Sequence, residues 1–326
     1  MKVAVYSPNW IGDSVLALPF LQHLKNNYPD ATIYIFCKEW VSEIYKNHPA
    51  VDHIISIKND SLESFLGTIK CGLKLRSSNF NNFYTLTDSF RSALILRASG
   101  ALRRVGYKSQ MRSFLLTDSI SKTKAKIHRS KKFVGLLGDF SFPISKPELH
   151  ISKDEKEWGL KEMIKIGIYK PIGLLPFSVD VKRTIPNSII NKWIKGSRND
   201  YVVFGSISDI EKGELLIRLC SGSSIQSICG QYSLRQSIIL ISLCKYTLAT
   251  DSGLGHISAA LGVPTISFFG KGSPEITSPM GKNVKIIKHC YPCLEEICDD
   301  SKKGNICLKK IHKLDIEHAV KNLTKL

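Results

Sequence analysis

The chain has 326 residues, 43% of them hydrophobic, and 46 Lys and Arg against 28 Asp and Glu leave a formal net charge of +18. That length exceeds one ordinary core and predicts two domains, and the apolar content excludes a disordered polymer. No apolar run reaches the roughly eighteen residues of a membrane span, and residues 1–6 enter a strand pattern with no secretory leader, so a cytoplasmic protein is expected.

In chain order, the first half predicts strands over 3–7, 32–37, 53–57 and 83–87, each a short β-branched or aromatic run. Between the first two, Val15, Leu18, Leu21 and Leu24 recur at helical spacing across 14–27, and Pro29 ends that helix. A second series starts near Ile172, with strands over 173–177, 201–205, 224–229, 246–250 and 264–270. Helices are expected between them over 186–195, 209–220, 234–243 and 255–261. Two alternating series imply an α/β chain of two doubly wound, Rossmann-like domains, the carboxyl ends of their parallel sheets facing one ligand cleft. The expected divisions are 1–166, 167–313 and a C-terminal helix over 314–326.

Absent motifs narrow the chemistry. There is no phosphate loop with its Gly-Lys-Ser/Thr ending, no G-x-S-x-G elbow, no H-E-x-x-H helix and no Asp-x-Asp metal clamp. Nine cysteines, an odd number, predict reduced thiols in the cytoplasm. Cys37, Cys71, Cys220, Cys229 and Cys244 read as small core residues. Cys290, Cys293, Cys298 and Cys307 have a spacing able to hold zinc, but only one C-x2-C hook is present and reduced thiols are favoured.

Three segments carry candidate chemistry. Asp251-Ser252-Gly253-Leu254-Gly255-His256 follows a strand and opens a helix. Its glycines and the amides of residues 252–255 suit a diphosphate at the helix N-terminus, while a capping aspartate with a glycine turn is the plainer alternative. Ser178 and Lys182 lie on the loop after the first strand of the second domain, where a hydroxyl and a flexible cation reach a phosphate or face solvent. Asp13 follows the first strand, as a helix cap or as a carboxylate able to take a proton from a hydroxyl.

In this order, the Trp10-Ile11-Gly12-Asp13 stretch, Lys182-Arg183 ahead of Pro186, and Asp251-Ser252-Gly253 ahead of His256 resemble the ADP-heptose:lipopolysaccharide heptosyltransferases, over nearly the whole chain. Arg91-Ser92-Ala93-Leu94, the stretches 100–107 and 111–116 and the cysteine cluster resemble the heptosyltransferase II branch of that family. The resemblance implies a metal-independent, inverting glycosyltransferase of the two-domain GT-B architecture. It would move heptose from ADP-L-glycero-β-D-manno-heptose to the lipopolysaccharide inner core, second heptose onto first. It implies Asp13 as general base and Lys182 with Ser178 on the diphosphate. Asp251 would meet the sugar hydroxyls, with Ser252, Gly253, Leu254, Gly255 and His256 completing the donor site. Asp209, or its neighbour Glu211, would stand at the adenosine end. One residue more than the family pattern separates Lys182-Arg183 from Pro186, and Gly255 stands where the second branch often has methionine. Transfer of the first heptose, or another nucleotide sugar in the same architecture, remains the alternative.

Between Arg97 and Lys132 eleven Lys and Arg face Asp118 alone, an excess of ten positive charges. Such a block suits nucleic acid or an anionic surface. With the resemblance it is read as a hold on the phosphorylated acceptor, with Arg91, Arg103, Arg104 and Arg112 as acceptor contacts. The rest would lie on the inner leaflet of the cytoplasmic membrane. A basic, non-catalytic nucleic-acid-binding protein is the reading from a different class. A monomer with no nucleic-acid partner and no cofactor beyond the donor is expected.

Overall fold

The computed structural model describes residues 1–58, 62, 64–138, 143–270, 272–288 and 306–324. The chain divides into two units, Met1–His150 and Ile151–Leu326. In the first, β1 (Lys2–Tyr6) is followed by α1 (Ile11–Leu16), α2 (Leu18–Asn27), β2 (Thr32–Lys38) and β3 (His53–Ile57). Then come α3 (Phe65–Lys74), β4 (Asn82–Thr85), α4 (Phe90–Ala98), β5 (Arg103–Tyr107), β6 (Asp118–Ile120) and α5 (Arg129–Val134). The single helix expected over 14–27 is two, because Pro19 in the first turn of α2 has no N–H to continue the ladder from α1.

The first sheet is fully parallel in the order β3-β2-β1-β4-β5-β6. On one face Ala4 and Tyr6 pack with Phe36, Phe83 and the α4 residues Ile95 and Leu96. By strand alternation the fully buried Val3 and Val5 serve the other face. The expected strands at 3–7, 32–37, 53–57 and 83–87 correspond to β1 to β4. β5 and β6 are additions, and β6 is a three-residue edge strand.

The second unit opens with α6 (Lys153–Lys165), β7 (Ile172–Leu175), α7 (Asn187–Ile194), β8 (Tyr201–Val203), α8 (Ile210–Leu219) and β9 (Ile225–Ser227). It continues with α9 (Leu234–Ser242), β10 (Tyr246–Thr250), α10 (Gly253–Ala260), β11 (Thr265–Phe268), α11 (Pro274–Thr277) and β12 (Val284–Ile287). This sheet is also fully parallel, in the order β12-β11-β10-β7-β8-β9. Every residue of β7 and β10 is buried, as expected of central strands covered on both faces.

The division falls at His150/Ile151 rather than at 166/167, because α6 docks on the second unit. Ser152 and Glu155 form a capping box that starts α6. Glu155 also accepts two bonds of 2.7 Å from Arg235 of α9, and Tyr232 donates to Glu162 at 2.8 Å. The Arg235 guanidinium holds the Glu155 carboxyl down at about 2. The last helix, Lys313–Thr324, buries Ile316, Ala319 and Leu323 in the second core and so is part of that unit.

Candidate active site

Each strand order has one place where the chain changes direction: β1/β4 in the first unit, β7/β10 in the second. The loops leaving the carboxyl ends of those strands part there, and the crevice between them is where doubly wound sheets bind ligands.

In the first unit this crevice is a hollow of about 180 Å³ lined by Pro8, Asn9, Trp10, Asp13, Leu86, Thr87, Asp88, Arg129, Lys132 and Phe133. Buried hydrogen bonds fix its floor: the Ser7 hydroxyl donates to the Pro8 carbonyl at 2.8 Å and pairs with the Tyr45 hydroxyl, and Ser14 donates to Pro8 at 3.1 Å. Trp10 holds the N-cap position of α1, and Asp13 is third in the helix, so Asp13 is not the cap. Its carboxylate accepts from Arg129 Nη1 at 3.1 and 3.2 Å and keeps about a quarter of its side-chain area exposed. Asp88 faces Lys132 at 2.8 Å, Lys122 at 3.0 Å and Arg112 at 3.8 Å. Burial works to raise the Asp88 carboxyl, but the two ammonium groups more than offset it and hold it below its ordinary value.

The four arginines expected on an acceptor separate. Arg91 opens α4 at the carboxyl edge, exposed; burial, and then Arg91, push the Lys38 ammonium down, which places two cations at the end of the sheet nearest the hollow. Arg103 and Arg104 begin β5 and so stand at the opposite edge from Asp13. Arg103 is bound to Asp118 at 2.9 Å, and Arg104 donates to the carbonyls of Leu115 and Ala101. Arg112 lies at the right edge but is fully buried. Its guanidinium donates to the carbonyls of Tyr107, Thr87 and Ser89 and to the Ser92 hydroxyl. These three positions correct the sequence-based assignment: a group at the far edge, or with its donors already taken, does not reach a ligand in the hollow. The basic block is also less naked than its count suggests, since Arg103, Lys122, Arg129 and Lys132 are paired with Asp118, Asp88 and Asp13.

In the second unit the crevice lies between the loop after β7 and the start of α10. Thr250 at the end of β10 donates to the Arg183 carbonyl, tying the two together. Ser252 is the N-cap of α10 and makes no side-chain capping bond. The Gly255 and His256 amides fold back onto the Ser252 carbonyl at 3.1 and 3.4 Å, so the outward donors expected of residues 252–255 reduce to the first turn ahead of Gly255. Gly255 serves packing: a Cβ there would stand 3.0 Å from Ala249 Cβ and from the Thr250 carbonyl. Gly253 and Leu254 remain half-exposed at the helix mouth. The Lys182 ammonium, half-exposed on a short 3-10 turn, makes no ion pair or hydrogen bond among the described residues, whereas its backbone N–H is held by Asp180 at 3.1 Å. Ser178 lies on the same loop, its N–H donating to Thr184 at 3.3 Å.

Asp251 is 2% exposed. Its carboxylate meets Arg183 at 3.2 Å, with His256 Nε2 at 4.0 Å and the Gly272 backbone alongside. A carboxylate so placed reaches a sugar only if Arg183 moves aside, and here it orients Arg183 and His256. Asp209 accepts from the Ser206 N–H and hydroxyl and pairs with Lys212 at 2.8 Å, leaving Glu211 beside it exposed. Sequence reasoning missed Asp88 and Arg183, and counted Arg129 and Lys132 only as charge. Arg183 was signalled by its place beside Lys182; Asp88 had no local signal. Of the cysteine cluster, Cys290, Cys293 and Cys298 lie outside the described residues, and Cys307 is buried.

Two doubly wound units in one chain, one offering a carboxylate and the other a lysine beside a helix N-terminus at its switch point, suit group transfer from a phosphate-bearing donor to a hydroxyl. The chain belongs to glycosyltransferase family 9 (heptosyltransferase), whose sequence profile matches residues 68–305. It is 27% identical to lipopolysaccharide heptosyltransferase 2 of Escherichia coli (strain K12) over 306 residues, 88% of each chain. Its fold is that of E. coli ADP-heptose lps heptosyltransferase II, with a TM-score of 0.84 at 24% identity over 99% of this chain and 98% of that one. The family 9 glycosyl transferase of Veillonella parvula DSM 2008 superposes with a TM-score of 0.88 at 18% identity, over 99% and 96%.

Proposed function

We propose that the chain transfers an L-glycero-D-manno-heptosyl group from ADP-heptose to the lipopolysaccharide inner core, joining the second heptose to the first with inversion. The observation that carries the reading is Asp13: a partly exposed carboxylate on the wall of the switch-point hollow, in a chain of this family. The relatives named heptosyltransferase 2 support the choice of sugar and acceptor.

In the reaction an acceptor hydroxyl attacks the anomeric carbon from the face opposite the diphosphate. As the new C–O bond forms, its proton passes to Asp13 and the old C–O bond breaks toward ADP. Arg129 must yield one carboxylate oxygen for that transfer, and an acceptor anion is a suitable replacement partner for its guanidinium. Charge growing on ADP is met by Lys182, the Ser178 and Ser252 hydroxyls and the first amides of α10; donors fixed in advance of the reaction are effective because they need no reorganisation. Arg91, with Lys38 beside it, is the acceptor contact we retain from the sequence. The chain would act as a monomer on the cytoplasmic face of the inner membrane; no helix among the described residues is long and apolar enough to cross it.

The test is ADP release from ADP-heptose with two acceptors, one carrying the first heptose and one lacking it. Release with the first acceptor only is expected. Release with the acceptor lacking heptose would move the chain to the first transfer, and none with either would overturn the reading.

A further inference from the structure

The loop between β5 and β6 combines a strained backbone with exposed apolar side chains. Gln110 and Met111 both have left-handed backbones, φ +46° and +54°. For residues with a Cβ this is worth roughly 1–2 kcal/mol of strain each. Met111 is 90% exposed and Phe114 73% exposed, so neither offsets that strain by burial.

The loop is nevertheless held firmly. Arg112, between the two apolar tips, is fully buried and bonded to three carbonyls and a hydroxyl. Gln110 accepts from the Phe90 N–H at 2.8 Å, Ser119 donates to Ser113 at 3.0 Å, and Lys122 donates to Ser109 at 3.3 Å. A strained, well-tethered loop presents Met111 and Phe114 to solvent, with the Phe114 ring 6.2 Å from that of Phe90.

Its surroundings identify what it meets. The loop leaves the carboxyl end of β5, on the edge that carries Asp13. The exposed Trp10, Trp40, Phe65 and Leu66 stand on the same edge, after β1, β2 and β3. Lys108, Lys124 and Lys126 are exposed on the segments flanking the loop and make no ion pair among the described residues. Apolar and indole side chains among unpaired lysines match an anionic bilayer: headgroups take the cations and the interface takes the rings and thioether.

We propose that the 109–115 loop is a rigid finger that inserts Met111 and Phe114 into the interface of an anionic bilayer, with Lys108, Lys124 and Lys126 on the headgroups. This deepens the transferase reading by naming the surface on which the acceptor side meets its membrane. Full-length protein is mixed with phosphatidylcholine vesicles, with and without phosphatidylglycerol. The parent chain should sediment with the mixed vesicles only, and less so as salt rises. The double variant Met111→Ser/Phe114→Ser should bind about tenfold less, with an unchanged Tm, because two apolar side chains leave the interface. The emission that Met111→Trp adds over the parent's own tryptophans, read as a difference spectrum, should shift to the blue on mixed vesicles and not on phosphatidylcholine alone.

Equal binding by parent and double variant would overturn the proposal, as would an unshifted Met111→Trp spectrum in protein that sediments. A parent dimer in sedimentation velocity that the double variant abolishes would assign the finger to a second copy instead, which also overturns it. Neither vesicle contains an acceptor, so a chain that bound this way but transferred no heptose would sink the transferase reading and leave the finger standing.

Discussion

The two switch-point crevices share a topology and differ in what they offer a ligand. At β1/β4 two carboxylates, Asp13 and Asp88, are held by Arg129, Lys122 and Lys132. At β7/β10 Asp251 is buried under Arg183, Asp180 caps the turn that carries Lys182 and faces Arg183 at 4.0 Å, and the Lys182 ammonium and the mouth of α10 stand half-exposed. In the proposed reaction the first would serve a base and the second an anion. One scaffold serves both because the specificity lies in the loops after the strands rather than in the strands.

If that contrast is right, damage to the two crevices produces opposite signatures. Asp13→Asn should lower transfer by about 10²–10⁴, the range for losing a general base, while calorimetry finds ADP affinity unchanged. Lys182→Ala should lower kcat by about 10²–10³ and weaken ADP binding as well. Equal loss of ADP binding in both variants would break the comparison.

A third change probes the wall of the first crevice. Arg112→Met removes the guanidinium from the carbonyls of Thr87, Ser89 and Tyr107; Thr87 and Ser89 keep the Thr85 and Ser92 hydroxyls at 3.3 and 2.8 Å, and Tyr107 loses both of its Arg112 bonds. The change should cost roughly 3 kcal/mol, seen as a fall in the denaturation midpoint, and should lower transfer without touching ADP affinity.

The smallest effect is confined to the first unit and depends on pH. His48 is buried, accepts from the Ala50 N–H through Nδ1 at 3.2 Å and meets the His150 ring edge-on at 5.4 Å. Burial, and then His150, push it down from 6.5 to about 4. The unfolded chain therefore takes up a proton at this residue before the folded chain does. Stability is full above about pH 6.5 and falls as pH drops toward 4, by about 2 kcal/mol between pH 7 and pH 5. His48→Gln should flatten that part of the stability curve, and an unchanged slope would assign the loss to other groups.

Local pattern made much of this readable. β3 and β10 fall on the expected residues, because a β-branched or aromatic run bounded by polar turns is a local signal. β5 was missed because it opens on Arg103 and Arg104, charged residues at a strand end that read as loop. β6 was missed because three edge residues have no period to detect. The candidate site divides the same way. Asp13, Lys182 and the Asp251–His256 turn lie beside strand ends and were legible. Asp88, Arg183 and the burial of Arg112 depend on partners far along the chain. No spacing rule distinguishes an arginine that meets a ligand from one that binds the carbonyls of Thr87 and Ser89, twenty-five and twenty-three residues away.

That buried guanidinium also bears on how the first unit comes apart. Thr87 and Ser89 follow β4, and Tyr107 ends β5, so a single side chain closes the two excursions on each other. Neither excursion can open alone without exposing the other's carbonyls to a charge left stranded in the core. The lining of the hollow and the strained loop beyond β5 therefore melt and re-form together, as one cooperative unit of local unfolding.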